Sequence, residues 1–579
     1  MTDIEVRPDG SGGFRVAAVG VAGGQVLSKV EVDLLRSCNR FRTVREHATA
    51  FAERPGARAG SKKRMRRRLE AFVGAGLLDP VPALEPGPSE SPPEIETLAF
   101  VTANRPVLME RAVRSAIETL SVVGRSLPIA VYDDTEDPKV AGENRARLAA
   151  IHAETGAAIR YAGVPEKMAF VEALVGRGVP RDLATFALRG VPEVGFRAGA
   201  NRNAVLLDNL DSVFVGFDDD TICRFARPPG ASDEVALGSS PDPTEFWFYD
   251  DPEAAIADND PQPMDFVEAH GRLLGRRGAD ILDGAHVGWD GVGAPLVRAL
   301  SHDHGRVRLS LMGALGDSGM GGAHYYLHLK GASHQRAVAD EATWQRTRRT
   351  RAVMRAPLRP TVGRAPVALM MGVGLDQRGV LPPFFPCGRN SDGLFVQFLL
   401  AVHPEALVGH LPWAVAHLPD PARQHPADDV WRHAVRLGLS EVVRWLLAAT
   451  PLPAEASAEE RLAVLGRSFV EVGKRSPGAF ASFLVEGWTR WCKKVNVALE
   501  RRMQLDSDAP PGWVADLHRA SGLVIEAGAE SPPIGEPMGE LSASEPRERA
   551  RQLLVAYGRL LEGWTHFALT QQGIALPVC

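Results

Sequence analysis

The chain has 579 residues, 45% of them hydrophobic and 24% charged, with 66 Lys and Arg against 71 Asp and Glu for a formal net charge of −5. That length exceeds one ordinary hydrophobic core and predicts at least two domains. The slightly acidic balance gives no support for wholesale nucleic-acid binding, and the composition is that of a soluble globular protein. Cys38, Cys223, Cys387, Cys492 and Cys579 are scattered, with no CxxC pair. That argues against a disulfide framework or zinc site and fits a reducing, cytoplasmic setting. The opening "MTDIEVRPDG" lacks a signal layout, and the longest apolar run, "VALMMGVGL", is too short to span a bilayer.

In residues 1–80, "SKVEVDLLRSCNRFRTVREHATAF" carries apolar residues at helical spacing. "KKRMRRRLEAFVGAGLLDP" predicts a basic-faced helix ending near Gly74 or Gly76, then a short "GLL" strand. A solvated face is the plainer account of Lys62 to Arg68; an acidic peptide or nucleic acid is the sharper one. The pattern resembles small winged-helix or PqqD-like domains, and that resemblance implies a peptide partner. A Pro-, Ser- and Glu-rich linker, residues 81–96, follows.

Residues 97–427 alternate strand and helix. Leu98 to Val101 predicts a strand, and Pro106 opens a helix with Val113, Ala116, Ile117 and Leu120 on one stripe. "LPIAVYDD" is a second strand, ending in Asp133 and Asp134. "GFRAGANRNAVLLDNL" gives a loop and helix, and "SVFVGFDDD" a strand that runs into Asp218, Asp219 and Asp220. This alternation predicts an α/β, Rossmann-like, mostly parallel sheet, in which ligands sit beyond the carboxyl ends of the strands. Three adjacent carboxylates repel, so water, a basic neighbour or a cation must offset them. In an extended segment Asp218 and Asp220 point the same way and suit Mg²⁺ or Mn²⁺ holding a diphosphate. A polar turn is the plainer alternative.

"VTANRP", "VYDD" and "GANRNAVLLDNLDSVFVGFDDD", in that order, resemble the family 2-like glycosyltransferases of the GT-A fold. The resemblance implies a metal-dependent transferase using a nucleotide-sugar donor, a UDP-sugar by the family pattern. It places Asp133 or Asp134 against the base, Thr102 and Arg105 along the nucleotide, and Arg202 near the ribose or diphosphate. Asp218 and Asp220 bracket the ribose and Mn²⁺ or Mg²⁺, and Asp219 points away. Arg202 has a plainer reading as a salt bridge. In "PPFFPCGRNSDGLFVQFLL", Asp392 opens a helix, Leu394 to Leu400, where the family places its catalytic base. Ser391 departs from the family's acidic pair there, and helix capping is the plainer role for Asp392. Among His410, His417 and His425, His417 is the choice for a metal-ligating late histidine.

"DILDGAHVGWDGVGAP" and "LMGALGDSGMGGAHYYLHL" contain His286, Asp290, Asp317, Ser318, His324 and His328 but no phosphate-loop spacing. They are expected to build the acceptor side. Residues 428–579 predict a helical C-terminal domain with Trp431, Trp445, Trp488, Trp491 and Trp564 as core. Two rival readings are a catalytically inactive nucleotide-sugar-binding module and a nucleotidyltransferase. The latter usually opens with a Gly- and Arg-rich phosphate loop that "VTANRPVLMER" lacks.

Overall fold

The structure, a computed structural model, describes residues 4–9, 12–18, 24–53, 61–78, 91–191, 194–282, 288–289, 291–302, 304–432, 435, 437–506, 508–529 and 545–570. Most of the expected linker, together with His286, Asp290 and Cys579, lies outside them.

The N-terminal region begins with a 3-stranded antiparallel sheet of β1 (Ile4–Pro8), β2 (Phe14–Ala18) and β3 (Gln25–Leu27). Helices Lys29–Ser37, Val44–Ala52 and Ser61–Gly74 follow. Ser28 with Glu31 and Thr43 with Glu46 form capping boxes that fix the first two helix starts. Val16, Leu27, Leu34, Leu35, Leu69 and Phe72 form a core of their own. The strands therefore precede the helices, and the expected "GLL" strand is absent. Gly76 is left-handed (φ 68°), and the Leu77 N–H donates to the Phe72 carbonyl at 2.9 Å. That is a helix-ending Schellman turn, with Leu77 buried as its hydrophobic contact.

The body is built on a 12-stranded sheet. Its strands are β4 (Thr97–Thr102), β5 (Ile129–Asp133), β6 (Ile159–Ala162), β7 (Val213–Asp218), β8 (Thr221–Ala226), β9 (Ala236–Gly238), β10 (Glu245–Phe248), β11 (Val307–Asp317), β12 (Ala352–Ala356), β13 (Thr361–Gly363), β14 (Gly372–Asp376) and β15 (Leu407–His417). The main order is β6-β5-β4-β7-β14-β11-β15-β13-β9. β6, β5, β4 and β7 are parallel; β14 is antiparallel to both β7 and β11; β15 is parallel to β11. So β4, β5, β7, β11 and β15 all end at the same edge. The chain leaves β4 towards β5 on one side and returns as β7 on the other, a topological switch point.

Helices cover both faces. Pro106–Val122 and Pro138–Thr155 pack on one face through Met109, Val113, Leu148 and Ile151. Val164–Gly176, Ala198–Asp208 and Ser391–Val402 pack on the other. The C-terminal helices Leu439–Ala449, Ala458–Gly473, Pro477–Leu505, Pro511–Ala529 and Glu545–Thr570 extend that second core without a break. Trp564 Nε1 donates to the Leu381 carbonyl at 2.7 Å and the Tyr557 hydroxyl to the Pro383 carbonyl at 3.1 Å. Trp488 and Trp564 are buried and Trp431, Trp445 and Trp491 partly so, as a helical core requires. Among the described residues no helix is long and apolar enough to cross a membrane, and Cys38, Cys223, Cys387 and Cys492 are buried and form no disulfide.

Candidate functional site

Six acidic or imidazole side chains stand at or just beyond the common edge: Asp133 on β5, Asp218 on β7, Asp317 on β11, His417 on β15, and Asp219 and Asp220 in the turn after β7. The β4 end is shaped by Asn104, left-handed at φ 59°, whose N–H donates to Thr135 Oγ1 at 2.7 Å. Asparagine tolerates that conformation, and Pro106 then supplies the φ of a first helical turn. Arg105, between them, reaches across to the acidic turn.

There the carboxylates are separated by their partners. Asp219 Oδ2 accepts from Thr102 Oγ1 at 2.8 Å, and its Oδ1 from Arg105 Nη1 at 3.1 Å. The same Arg105 nitrogen lies 3.3 Å from Asp220 Oδ2, and His417 Nε2 lies 3.1 Å from Asp220 Oδ1. Asp218 Oδ1 accepts from Arg202 Nη2 at 2.8 Å, and Arg202 Nη1 donates to Asp392 Oδ1 at 2.7 Å. Basic neighbours thus offset the triplet's repulsion. Asp218, Asp220 and His417 do not group as the expected set of metal ligands: Asp218 ends β7 and is held by Arg202, while Asp220 lies in the turn beyond the strand's alternation and is held by Arg105 and His417.

Electrostatics follow from these contacts. Burial, with Asp392, Asp220 and Asp219 nearby, pushes Asp218 up to about 7 despite Arg202. Burial also raises Asp219 against the pull of Arg105. Burial works to raise Asp220 too, but the His417 hydrogen bond and charge and the Arg105 charge hold it well below the carboxylate range. Burial disfavours the His417 imidazolium, yet Asp220 and Asp317 outweigh it and raise the histidine.

His417 is oriented by Asp317, from a segment expected on the acceptor side. Its Nδ1 lies 2.6 Å from the Asp317 carbonyl, which can only accept, so Nδ1 carries a proton. Nε2 is then either the donor to Asp220 or a lone pair for a cation. Asp317 is itself held by Arg351, with two contacts of 2.9 Å, and by Arg423 Nε at 3.2 Å. The signal for Asp317 was present: an apolar run ending in an acid, as at Asp218.

Asp392 lies in the first turn of Ser391–Val402, as expected. It caps no N–H of its own helix; its Oδ2 accepts from the Met370 N–H at 3.3 Å. Asp133 and Asp134 fit their expected role less well. Asp133 is fully buried, with Oδ1 accepting from the Thr135 N–H at 2.8 Å and Oδ2 from Asn144 Nδ2 at 2.7 Å and the Tyr161 hydroxyl at 2.6 Å. Both its oxygens are committed, which makes it a strand-end anchor rather than a base contact. Asp134 Oδ1 accepts from Lys167 Nζ at 2.9 Å and Arg189 Nη1 at 2.7 Å, and its Oδ2 is buried without a hydrogen-bond partner. His410 and His425 are buried elsewhere.

Among the described residues no three His, Cys, Asp or Glu side chains are grouped to hold a metal ion. Asp220 with His417 is a two-ligand set, and the imidazole has the carbonyl partner typical of metal-binding histidines. A hard divalent ion at a phosphate site uses such a partial set, with water and substrate oxygens completing the shell. Asp218, turned to Arg202, is not part of it.

No known protein family, curated protein or solved structure matches the chain.

Proposed function

We propose that the chain is a glycosyltransferase that moves a sugar from a nucleotide-sugar donor, a UDP-sugar in the family pattern, to an acceptor hydroxyl. The observation that carries the reading is the convergence of Asp218, Asp220, Asp392, Arg105, Arg202 and His417 at the carboxyl edge beside the β4–β7 switch point. A site with this placement suits a nucleotide diphosphate. The residue order of the three sequence motifs supports the same donor.

In this reading Thr102 and Arg105 line the donor beside the acidic turn. Arg105, 46% exposed, presents positive charge where a diphosphate would leave. Asp134, with one unpartnered oxygen beneath the end of β5, is the remaining candidate for a base contact. Asp220 and His417 would hold Mn²⁺ or Mg²⁺; when bound, such an ion neutralises charge on the departing diphosphate. Asp392, 22% exposed, takes the acceptor proton as the glycosidic bond forms. The N-terminal region, with exposed Lys62, Lys63, Arg64, Arg66 and Arg67, suits an acidic peptide acceptor.

The test is hydrolysis and binding of a panel of sugar nucleotides with Mn²⁺. Turnover should vanish in Asp220→Ala. Asp392→Asn should retain binding and lose about 10²-fold or more in rate, the scale of general-base catalysis. Binding without turnover in the unaltered protein would instead identify an inactive binding module. No binding of any sugar nucleotide would reject the reading.

A further inference from the structure

We infer that Arg202 is a positioning residue that couples the donor-side carboxylate Asp218 to the base Asp392, and that the start of its helix is the joint between the donor and acceptor halves of the site. This rests on the glycosyltransferase reading for the role of Asp392, and on geometry for the coupling.

The helix Ala198–Asp208 directs three consecutive polar side chains to three different parts of the fold. Asn201 Nδ2 donates to the carbonyls of Thr102 at 3.3 Å and Tyr132 at 2.9 Å, tying together the ends of β4 and β5. Its Oδ1 accepts from Lys167 Nζ at 2.5 Å, and that fully buried lysine also holds Asp134. Asn203 makes a two-way bond with Phe384, accepting its N–H at 2.8 Å and donating to its carbonyl at 3.1 Å. Phe384 belongs to the segment that leads into the Asp392 helix. Gly199 fits this contact only because it lacks a side chain: a Cβ there would lie 1.9 Å from the Phe385 carbonyl oxygen.

Arg202 sits between these two anchors. Its side chain is only 11% exposed, and its two terminal nitrogens go to Asp218 and Asp392. Both carboxylates keep more exposure, 28% and 22%. The guanidinium is thus enclosed and committed, while the groups it bridges remain open to substrate. Such a planar fork fixes two carboxylates in one geometry, which an ammonium or a neutral side chain does not do. Its action on chemistry passes through Asp392.

A double-variant cycle tests this with the full chain, Mn²⁺ and the sugar nucleotide found to be hydrolysed. Arg202→Met and Asp392→Asn should each lower kcat by about a hundredfold, with KM within threefold of the unaltered value. The double variant should be no slower than the worse single one, because residues that act as a unit give non-additive losses. Multiplying losses, or a KM rise that accounts for the Arg202→Met defect, would overturn the coupling. If the unaltered protein hydrolyses no sugar nucleotide, the functional reading fails and thermal unfolding decides the coupling. Asp392→Asn should then raise Tm in the Arg202→Met background, where it removes an unpaired carboxylate, and fail to raise it in the unaltered chain. An equal shift in both backgrounds would overturn the inference.

Discussion

At the scale of single residues, burial decides which ionisable groups serve stability. His270 is fully buried, with Nδ1 2.6 Å from Ser310 Oγ and Nε2 without a partner. Burial lowers it from 6.5 to about 3. The folded state therefore keeps it neutral while the unfolded state takes up a proton below pH 6.5. Its stabilising contribution is complete above that pH and is lost as pH falls towards 3. The expected slope is about 1.4 kcal/mol per pH unit for one such group. Denaturant unfolding between pH 7 and pH 4.5 should show it, and His270→Gln should flatten it. His410, lowered by burial to about 4, adds a second loss of the same slope that ends nearer pH 4; an unfolding free energy flat across this range would contradict both. Among the candidate carboxylates, Asp133 and Asp218 were legible in the sequence because they end apolar runs, and Asp392 because it opens a helix. Their partners were not: Arg202 to Asp392 and Thr102 to Asp219 join positions far apart in the chain, and no local pattern encodes such pairings.

At the scale of elements, close approach of backbones sets what a side chain costs. Helices Ala458–Gly473 and Glu545–Thr570 cross at Gly466 and Gly558. A Cβ on Gly466 would lie 2.5 Å from the Gly558 carbonyl oxygen, and one on Gly558 2.7 Å from that of Gly466. Either Gly→Ala change should cost about 1–3 kcal/mol, the scale of overpacking. Gly522, within Pro511–Ala529, meets nothing within 4 Å. Gly522→Ala should stabilise by about 0.5–1 kcal/mol through helix propensity alone. Chemical unfolding of the three variants checks the contrast, and equal effects would mean that the crossing is looser than described. Periodicity revealed the apolar faces of the C-terminal helices and the strand–helix alternation of the body. It missed the β1–β3 sheet, whose strands are short, and it misread the Schellman turn at Gly76, because a Gly-Leu-Leu run fits a strand as well as a helix end. The lesson of the acidic turn is similar: an alternation rule holds only while the strand lasts, and β7 stops at Asp218, two residues short of Asp220.

At the scale of the whole molecule, the two ends of the chain are attached in different ways. The N-terminal region keeps its own core and meets the body through a short backbone pairing. Phe41 accepts from the Gly291 N–H at 2.8 Å and donates to the Val292 carbonyl at 2.7 Å, with its ring beside Trp289. The C-terminal helices instead complete a core that the body cannot close alone. Tyr557 stacks edge-on with Phe385 and Phe398, and Trp564 is buried beside Phe567 while bonded to Leu381. A chain beginning at residue 91 should therefore fold and, under the proposed glycosyltransferase function, bind nucleotide as the full chain does and lose only those acceptors that dock on the N-terminal region. A chain ending at residue 427 should not fold, because Phe384, Phe385, Phe395 and Phe398 would be bared together. Trp564→Ala is the milder form of the same experiment, with an expected loss of about 3–5 kcal/mol and a single cooperative transition. If calorimetry of that variant showed the C-terminal helices melting apart from an intact body, the shared core would be two cores in contact, and the joint at Arg202 would lose the rigid support behind the Asp392 helix.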